Sequence, residues 1–401
     1  MQINSASSSK LALIIFFIHP FIAFIIALRD LKNKHAQLVL LLFFTLFGYT
    51  FIAENESADS YHYVNEFNTH VNSPNSSFIG EFEEYLTFDS DIKDMYVISS
   101  YFLISTLTHN YHFLMALWAF VFSVLFLKAF KFFAMRPEYK SSVYTLLLVF
   151  LFIFSNNIFN INGVRFWTGA WLSVYVIFEV VVNKKNKFIL LSFFAPLIHL
   201  TYIFFPILLI CFFFLRKKDT LLIFLFLFSF IVGETSLQFV QNYQNNFPQV
   251  IQNMIWAYTE GQYIQNRVYF YENEPLYARI LRSLPRHLIN FSVIILILKR
   301  KYIRTNIEAY PLFKFLLLWL SLSNFLMAIP SLGSRLIIIA FPVLAYLLLI
   351  LYSKIKILKK VILIIPIAFS YIILEWIRNM ITVTDPYLIL SFFPHILIKN
   401  F

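Results

Sequence analysis

The chain has 401 residues, of which 60% are hydrophobic and 13% are charged. A composition this apolar, with 50 phenylalanines, excludes an ordinary soluble globular protein and favours one that crosses a membrane several times. The formal net charge of +11 is expected to reflect basic loops kept on one side of that membrane, so it does not indicate nucleic-acid binding.

Apolar runs of membrane-spanning length recur along the whole chain, and no segment between them resembles an interdomain linker. We therefore predict an all-α polytopic membrane protein, formed by a single domain over residues 1–401, with about ten transmembrane helices. The run at 288–298 is short unless its helix starts near Leu276, and the first run lacks a cleavage pattern, so we expect it to be retained. The predicted spans are residues 11–28, 38–53, 113–133, 143–159, 166–182, 221–237, 288–298, 312–330, 336–352 and 361–376.

The run from residue 188 to residue 215 is predicted to form a broken re-entrant helix pair. A single span here would place the basic turns at 184–187 and 216–218 on opposite sides and every later basic loop outside, against the positive-inside bias. Two half-helices that enter from the cytoplasm and meet near His199 remove this conflict. Non-helical backbone at that depth is tolerated where it is buried in protein or lines a wet cavity.

The topology predicts two larger periplasmic loops, at residues 54–112 and 238–284. The first loop is acidic and carries Asp59 shortly after an apolar run, which would place its carboxylate at the membrane surface where an acceptor hydroxyl would arrive. A solvated loop residue is the alternative for Asp59. The second loop combines glutamine, asparagine and tyrosine, a mixture that suits carbohydrate but is also common in interfacial segments.

The two sides of the predicted membrane differ in their basic residues, because lysine dominates the cytoplasmic side and arginine the outer side. Arginine is favoured where a rigid, forked group must bind phosphate or carboxylate at two points. The outer face is therefore expected to bind an anion, although snorkelling to the interface is an alternative for Arg165. The outer arginines are Arg165, Arg267, Arg279, Arg282, Arg286, Arg335 and Arg378.

Three of these arginines follow Pro275, which can start a helix. Arg279, Arg282 and Arg286 then fall at positions i, i+3 and i+7 on one helix face. Like charges at this spacing repel each other unless an anion lies between them. A lipid headgroup would serve as well as a substrate, and Pro285 would bend the face, so both interpretations stay open.

The sequence contains no glycine-rich phosphate loop and no recognisable metal-binding motif, so we expect no cofactor and no metal. Glycosyl transfer from a polyprenyl-pyrophosphate donor needs neither, because arginines can stabilise the charge of the leaving group. One base would assist the attacking sugar hydroxyl. Asp59 and His199 are the candidate bases, and a structural role at the helix break is the alternative for His199.

Three short motifs lie near the outer ends of the predicted spans, and a fourth lies at the predicted helix break. They contain, in chain order, Asp59 and Tyr63 (ADSYHY), Asn162 and Arg165 (NGVR), His199 (IHLTY), and Arg335. Together they resemble the EpsG-like branch of the Wzy-type polysaccharide polymerases over residues 38–214, and beyond that only the span pattern is similar. The segment departs from the family in two places: AENESAD lacks the arginine that usually precedes the aspartate, and Phe166 replaces a glutamine that often follows the central arginine.

The resemblance implies polymerisation of lipid-linked oligosaccharide repeat units, such as O antigen, at the periplasmic face of a bacterial inner membrane. The implied partners are undecaprenyl-pyrophosphate-linked oligosaccharides, as donor and acceptor, together with membrane lipids and a chain-length regulator. We predict Asp59, His199 and Arg165 as catalytic residues. The predicted residues for binding pyrophosphate or sugar are Tyr63, Asn162, Arg279, Arg282, Arg286 and Arg335.

Two other functions stay open as alternatives. A transporter, such as a flippase for the same lipid-linked sugar, is disfavoured because few ionisable groups lie at mid-membrane depth and no inverted repeat is visible. A membrane acyltransferase that modifies the polysaccharide would need a catalytic histidine near the first span, where His19 is the only candidate.

Overall fold

The structure is a computed structural model. Helices are its regular elements, and the described residues contain no extended strand. Arg267, one of the predicted outer arginines, lies outside the described residues. These are residues 5–28, 30–53, 56, 58–72, 77–87, 94–159, 161–247, 249–259, 266, 269, 272–329, 331–383, 387–390 and 392–394.

The α-helices follow one another with short turns. A 3-10 turn at Ile161–Gly163 precedes α9, and a π-helical segment at Phe178–Val182 follows it. In chain order the α-helices are α1 (Ser5–Phe16), α2 (Pro20–Ala27), α3 (Lys34–Tyr49), α4 (Asp59–Asn72), α5 (Phe78–Thr87), α6 (Met95–Ser105), α7 (Tyr111–Ala134), α8 (Val143–Phe154), α9 (Val164–Ile177), α10 (Ile189–Ser192), α11 (Phe194–Ile198), α12 (Phe204–Leu215), α13 (Asp219–Phe228), α14 (Gly233–Tyr243), α15 (Gln249–Thr259), α16 (Leu276–Leu298), α17 (Arg300–Arg304), α18 (Ala309–Phe325), α19 (Leu332–Leu351), α20 (Ile357–Ala368), α21 (Ser370–Val383) and α22 (Tyr387–Leu390).

Six helical segments of the described residues are long and apolar enough to cross a membrane. The predicted all-α membrane fold is therefore confirmed, whereas the predicted number of about ten spans is not. The remaining apolar helices are shorter, and a helix of 12 residues reaches only about 18 Å of the roughly 30 Å hydrocarbon core. The six segments are Tyr111–Ala134, Ile161–Val182, Leu276–Leu298, Ala309–Ala328, Leu332–Leu351 and Ile357–Glu375.

The predicted first span, at residues 11–28, is wrong as a single helix. The chain breaks at His19 and forms α1 and α2, which pack against each other and against α3. Pro20 occupies the first position of α2, where its missing N–H leaves no hydrogen bond unmade. The His19 Nδ1 atom accepts a hydrogen bond from the Ile22 backbone N at 3.4 Å and caps the second helix.

Further predicted spans are interrupted or end early, and the run predicted at 361–376 is divided between α20 and α21 at Phe369. The helix predicted at 143–159 stops at Phe154, where the asparagine-rich turn begins. The helix predicted at 221–237 divides into α13 and α14, with a turn around residues 229–232 between them. The runs at 143–159 and 221–237 are mostly apolar, so apolarity alone did not distinguish one long helix from two short elements.

The short run predicted at 288–298 belongs to a longer helix. α16 begins at Leu276, directly after Pro275, and has membrane-spanning length. Pro285 lies inside this helix, which continues to Leu298. The helix that carries three of the predicted anion-binding arginines is therefore continuous.

Two helices act as the main packing centres. α7 packs against α3 and α9, and its buried Trp118 donates from Nε1 to Ser100 Oγ of α6 at 2.9 Å. Gly48 of α3 permits the close approach to α7, because a Cβ atom there would lie 2.6 Å from the Ala119 Cβ. α19 is the second centre and packs against α8 and α18.

The helix break within residues 188–215 falls at His199. α10 and α11 precede this residue, which is extended (φ −158°, ψ 121°), and a 3-10 turn at Leu200–Ile203 leads into α12. α10 lies against α12, so the two arms fold back on each other. The Tyr202 hydroxyl donates to the Phe166 carbonyl oxygen at 2.8 Å and holds the break against α9. Entry of both arms from the cytoplasm stays a prediction.

The two segments predicted as periplasmic loops contain much helix. Residues 54–112 include α4, α5 and α6, and residues 238–284 include most of α14, all of α15 and the start of α16. α6 packs against α4, α5, α7 and α11, so the first segment is attached to the helix break as well as to the membrane-length helices. The location of both segments on the outer side stays a prediction.

Candidate functional site

A cavity of about 840 Å³ lies between α16, α19, α21 and the junction of α8 with α9. Four of the predicted outer arginines line it, namely Arg279, Arg282 and Arg286 from α16 and Arg335 from α19. The i, i+3 and i+7 spacing brings the first three to one face of α16. The structure thus brings two distant parts of the chain, and four guanidinium groups, to one space.

The arginines of this cavity differ in their partners. Arg282 forms an ion pair with Glu274 at 2.7 Å and donates to the Tyr371 hydroxyl at 2.9 Å. Within the described part of the chain, the guanidinium groups of Arg279 and Arg286 form no hydrogen bond and no ion pair. Two uncompensated guanidinium groups on one wall suit an anion with several oxygen atoms, such as a phosphate ester.

Another part of the cavity wall consists of Asn156, Asn157 and Trp167. Asn156 is 3% exposed, and its Nδ2 atom donates to the Trp167 carbonyl oxygen at 3.1 Å. The Oδ1 atoms of both asparagines are buried and have no hydrogen-bond partner among the described residues. Amide oxygens accept hydrogen bonds from hydroxyl groups, but both of these atoms are buried, so the cavity combines donors for an anion with two asparagines whose acceptor atoms lie beneath its surface.

Arg165 is not among the residues that line this cavity and lies in a second cluster. Its guanidinium group donates to the Asp94 carboxylate and to the Tyr63 hydroxyl. It also lies over the Tyr63 ring, with 4.6 Å between the guanidinium carbon and the ring centre. Because α9 begins at Val164, the first turn of that helix positions the arginine.

Asp94 is not one of the residues predicted from the sequence, yet it joins three segments of the chain. Its side chain is 3% exposed. One carboxylate oxygen accepts from Arg165, and the other accepts from the backbone N of Leu200 at 3.0 Å, directly after the helix break. The only sequence signal is its position immediately before the apolar helix α6, which is typical of a helix cap and gives no indication of distant partners.

The first turn of α4 completes the second cluster. The Ser60 hydroxyl donates to Asn162 Oδ1 at 2.6 Å, which ties α4 to the turn before α9. Burial raises the pKa of the Tyr63 phenol, although the charge of Arg165 acts in the opposite direction, so the hydroxyl keeps its proton. Asp59 is the exposed first residue of α4, and its charge acts on both Arg165 and Tyr63.

His199 lies close to both the arginine-lined cavity and the second cluster, which surrounds Arg165. Its Nδ1 atom accepts a hydrogen bond from the Thr201 backbone N at 3.3 Å and caps the 3-10 turn. Its ring meets the Phe166 ring edge-on, with 5.4 Å between centres, and the Arg335 guanidinium carbon lies 5.8 Å from the centre of that same ring. Phe166 thus lies next to both the histidine and the cavity arginine. The charges of Arg165 and Arg335 both act on His199.

The fold and the cavity define the class of the protein. It is a multi-pass helical membrane protein with an arginine-lined cavity. Within the described residues, no three histidine, cysteine, aspartate or glutamate side chains are grouped closely enough to hold a metal ion.

The family model of the EpsG family matches residues 35–392, so the chain belongs to this family of Wzy-like, polymerase-related membrane proteins. The resemblance inferred from the sequence motifs is thereby confirmed. No curated protein and no solved structure matches the chain.

Proposed function

We propose that this protein is a polysaccharide polymerase, a membrane glycosyltransferase that joins undecaprenyl-pyrophosphate-linked oligosaccharide repeat units, such as O-antigen units. The reaction would take place at the periplasmic face of the bacterial inner membrane. The observation that carries the proposal is the convergence of four arginines on one cavity in a member of the EpsG family. Membrane lipids and a chain-length regulator stay proposed partners.

The proposed reaction breaks the bond between the anomeric carbon of the donor sugar and the pyrophosphate oxygen. A hydroxyl oxygen of the acceptor sugar forms the new bond to that carbon, its proton passes to a base, and undecaprenyl pyrophosphate leaves. Arg279 and Arg286 are free to neutralise the leaving group, and Arg335 adds a third positive charge beside them. Preformed donors of this kind stabilise charge that develops in the transition state.

The dimensions and lining of the cavity support a carbohydrate phosphate as ligand. Its volume of about 840 Å³ lies within the roughly 300–1,000 Å³ range typical of small-molecule sites. The guanidinium wall suits the pyrophosphate, whereas Asn156 and Trp167 suit the sugar next to it. Tyr63 and Asn162 belong to the Arg165 cluster and are proposed to support the site from there.

The base is proposed to be Asp59 or His199. Asp59 is exposed, so its carboxylate is open to an acceptor hydroxyl. The Nδ1 atom of His199 already accepts from Thr201, so its other ring nitrogen carries the proton in the neutral form. His199 could take a proton only after giving up this bond, which favours Asp59. Arg165 is proposed to act through its positive charge, which lies near His199.

A polysaccharide gel tests the function. Lipopolysaccharide from a strain that lacks the gene is compared with that from the same strain carrying the wild-type gene. Loss of the ladder, with core plus a single repeat unit remaining, is expected, because units are still made, moved across the membrane and attached. Loss of every repeat unit would indicate a flippase instead, and an intact ladder with altered antigenicity would indicate an acyltransferase.

A further inference from the structure

We propose that Asp94 is a positioning residue of the polymerase site, which fixes the Arg165 guanidinium group and the backbone next to His199 at the same time. This positioning role rests on the proposed polymerase function. The two physical connections that Asp94 makes, to Arg165 and to the Leu200 backbone, do not depend on that function.

Asp94 is buried and uses its two carboxylate oxygens in different directions. One oxygen accepts from Arg165, and the other accepts from the Leu200 backbone N at 3.0 Å. A carboxylate with 3% side-chain exposure is stable only when it is paired and hydrogen-bonded. Removing one partner of a buried pair leaves an uncompensated charge, so the connection between α6 and α9 depends on both residues.

The Leu200 N–H group has no backbone acceptor within the turn that follows the break. The first N–H groups of a helical turn have no partner within that turn, and an unpaired buried N–H destabilises the fold. Here the Thr201 N–H is capped by the His199 ring at 3.3 Å, and the Leu200 N–H is capped by Asp94. The backbone on the far side of His199 is therefore held by a residue that lies more than 100 positions earlier in the chain.

The nearby Asp59 cannot take over this role. It is exposed at the start of α4, whereas Asp94 lies buried against the break. Because Asp94 compensates Arg165, the arginines left to meet the charge of a substrate are those of the cavity. Asp94 therefore acts on the reaction through Arg165 and the break, without contact to substrate.

The opening of the helix break is measured by the reactivity of a cysteine placed at position 200. The parent chain carries Cys211→Ser, which removes the single native cysteine, and Leu200→Cys. Two double variants of this parent are compared, Arg165→Ala with Asp94→Asn and Arg165→Ala with Asp94→Ala. Neither holds an unpaired buried charge, and only the variant with asparagine keeps a side-chain oxygen that can accept from the position-200 amide. The rate of modification by N-ethylmaleimide is measured in native membranes.

The variant with Asp94→Ala is expected to react about fivefold faster than the variant with Asp94→Asn, because loss of the hydrogen bond lets the break open more often. A matched control, Asp219→Asn, removes a carboxylate that is paired with Arg304 and Lys314 elsewhere in the chain and is expected to leave the rate unchanged. Equal rates in the two double variants would overturn the connection to the break.

The connection to Arg165 is tested by Asp94→Asn in the otherwise wild-type chain. Both partners of Asp94 are donors that meet different carboxylate oxygens, so the amide of asparagine accepts from one of them and turns its own NH2 donor toward the other. In polymerisation assays with lipid-linked repeat units, kcat is expected to fall about tenfold or more while KM for the donor changes about twofold or less, because donor binding belongs to the cavity arginines. Wild-type kcat at normal protein levels would overturn the proposal. If the wild-type chain forms no polymer, the proposed function fails, and the thiol rates still decide the role of Asp94 at the break.

Discussion

Arg165 is not among the arginines that line the cavity, and its hydrogen bonds run in two directions. Its guanidinium group reaches the Asp94 carboxylate and the Tyr63 hydroxyl at once, and these partners precede α6 and belong to α4 respectively. A lysine carries the same charge but lacks the rigid fork that bonds in two directions. We therefore expect Arg165→Ala to abolish polymer formation and Arg165→Lys to retain little, on the order of 1% of wild-type activity.

This expectation is measured as polymer per unit of membrane protein in a complemented deletion strain. Arg335→Ala should also abolish the ladder, since this guanidinium group lines the cavity and lies over Phe166. Arg300→Ala, an exposed arginine that follows α16, serves as the control and should keep the full ladder. Full activity of Arg165→Ala at normal expression would remove Arg165 from the site.

The sequence predicted the grouping of three arginines better than the partners of the arginines. Arg279, Arg282 and Arg286 could be grouped in advance because their spacing follows the helical repeat. Asp94 could not, because its pairing with Arg165 forms only when α6 packs near α9 and no local pattern records that contact. The ion pair of Arg282 with Glu274 was also not predicted. Because of this pair, the charge of Arg282 is compensated, whereas the charges of the other two arginines on the same helix face are not.

At the scale of helices, the breaks were only partly predictable. The break at His199 followed from charge topology and flanking prolines. The break at His19 was missed although Pro20 was visible, because a proline inside an apolar run also occurs in continuous helices, as Pro285 in α16 shows. Hydropathy measures how apolar a segment is and carries no information on whether its helix is continuous.

The contact between α3 and α7 gives a prediction at this scale. A Cβ atom on Gly48 would lie 2.6 Å from the Ala119 Cβ and closer still to the Met115 carbonyl oxygen. Because backbone cannot move aside as a side chain can, Gly48→Ala is expected to destabilise the protein by about 1–3 kcal/mol. The measurement is thermal unfolding of the purified protein followed by tryptophan fluorescence.

Gly80→Ala is the matched control for this substitution. Its nearest neighbour would be the Ser77 side-chain oxygen at 3.1 Å, which can rotate away. The control should unfold at nearly the wild-type temperature. If Gly48→Ala unfolds at the same temperature as the control, α3 and α7 are not packed as closely as the structure indicates.

At the scale of the whole molecule, the side of the membrane on which each turn lies is the main open prediction. A re-entrant pair at residues 188–215 places the basic turns before and after it on the same, cytoplasmic side. Single cysteines at Lys187 and Lys217, both exposed, are introduced into a chain with Cys211→Ser. Neither should react with a membrane-impermeant maleimide in intact spheroplasts, and both should react after permeabilisation.

A cysteine at Ser77, exposed in the first predicted outer segment, is the positive control and should react before permeabilisation. Reaction of only one of the two basic-turn cysteines from outside would mean that the segment between them crosses the membrane completely. The number of spans could not be predicted from the sequence, because several apolar runs form helices that are too short to cross the membrane alone.

The most direct test of the account uses the purified protein and chemically defined undecaprenyl-pyrophosphate-linked repeat units. Wild-type protein and the Arg300→Ala control should convert these units into a ladder of longer chains. The double variant Arg279→Ala, Arg286→Ala should lose on the order of 100-fold or more in rate, because it removes the two uncompensated guanidinium groups of the cavity. Polymerisation by this variant at the wild-type rate, or recovery of only single units from the wild-type protein, would contradict the account.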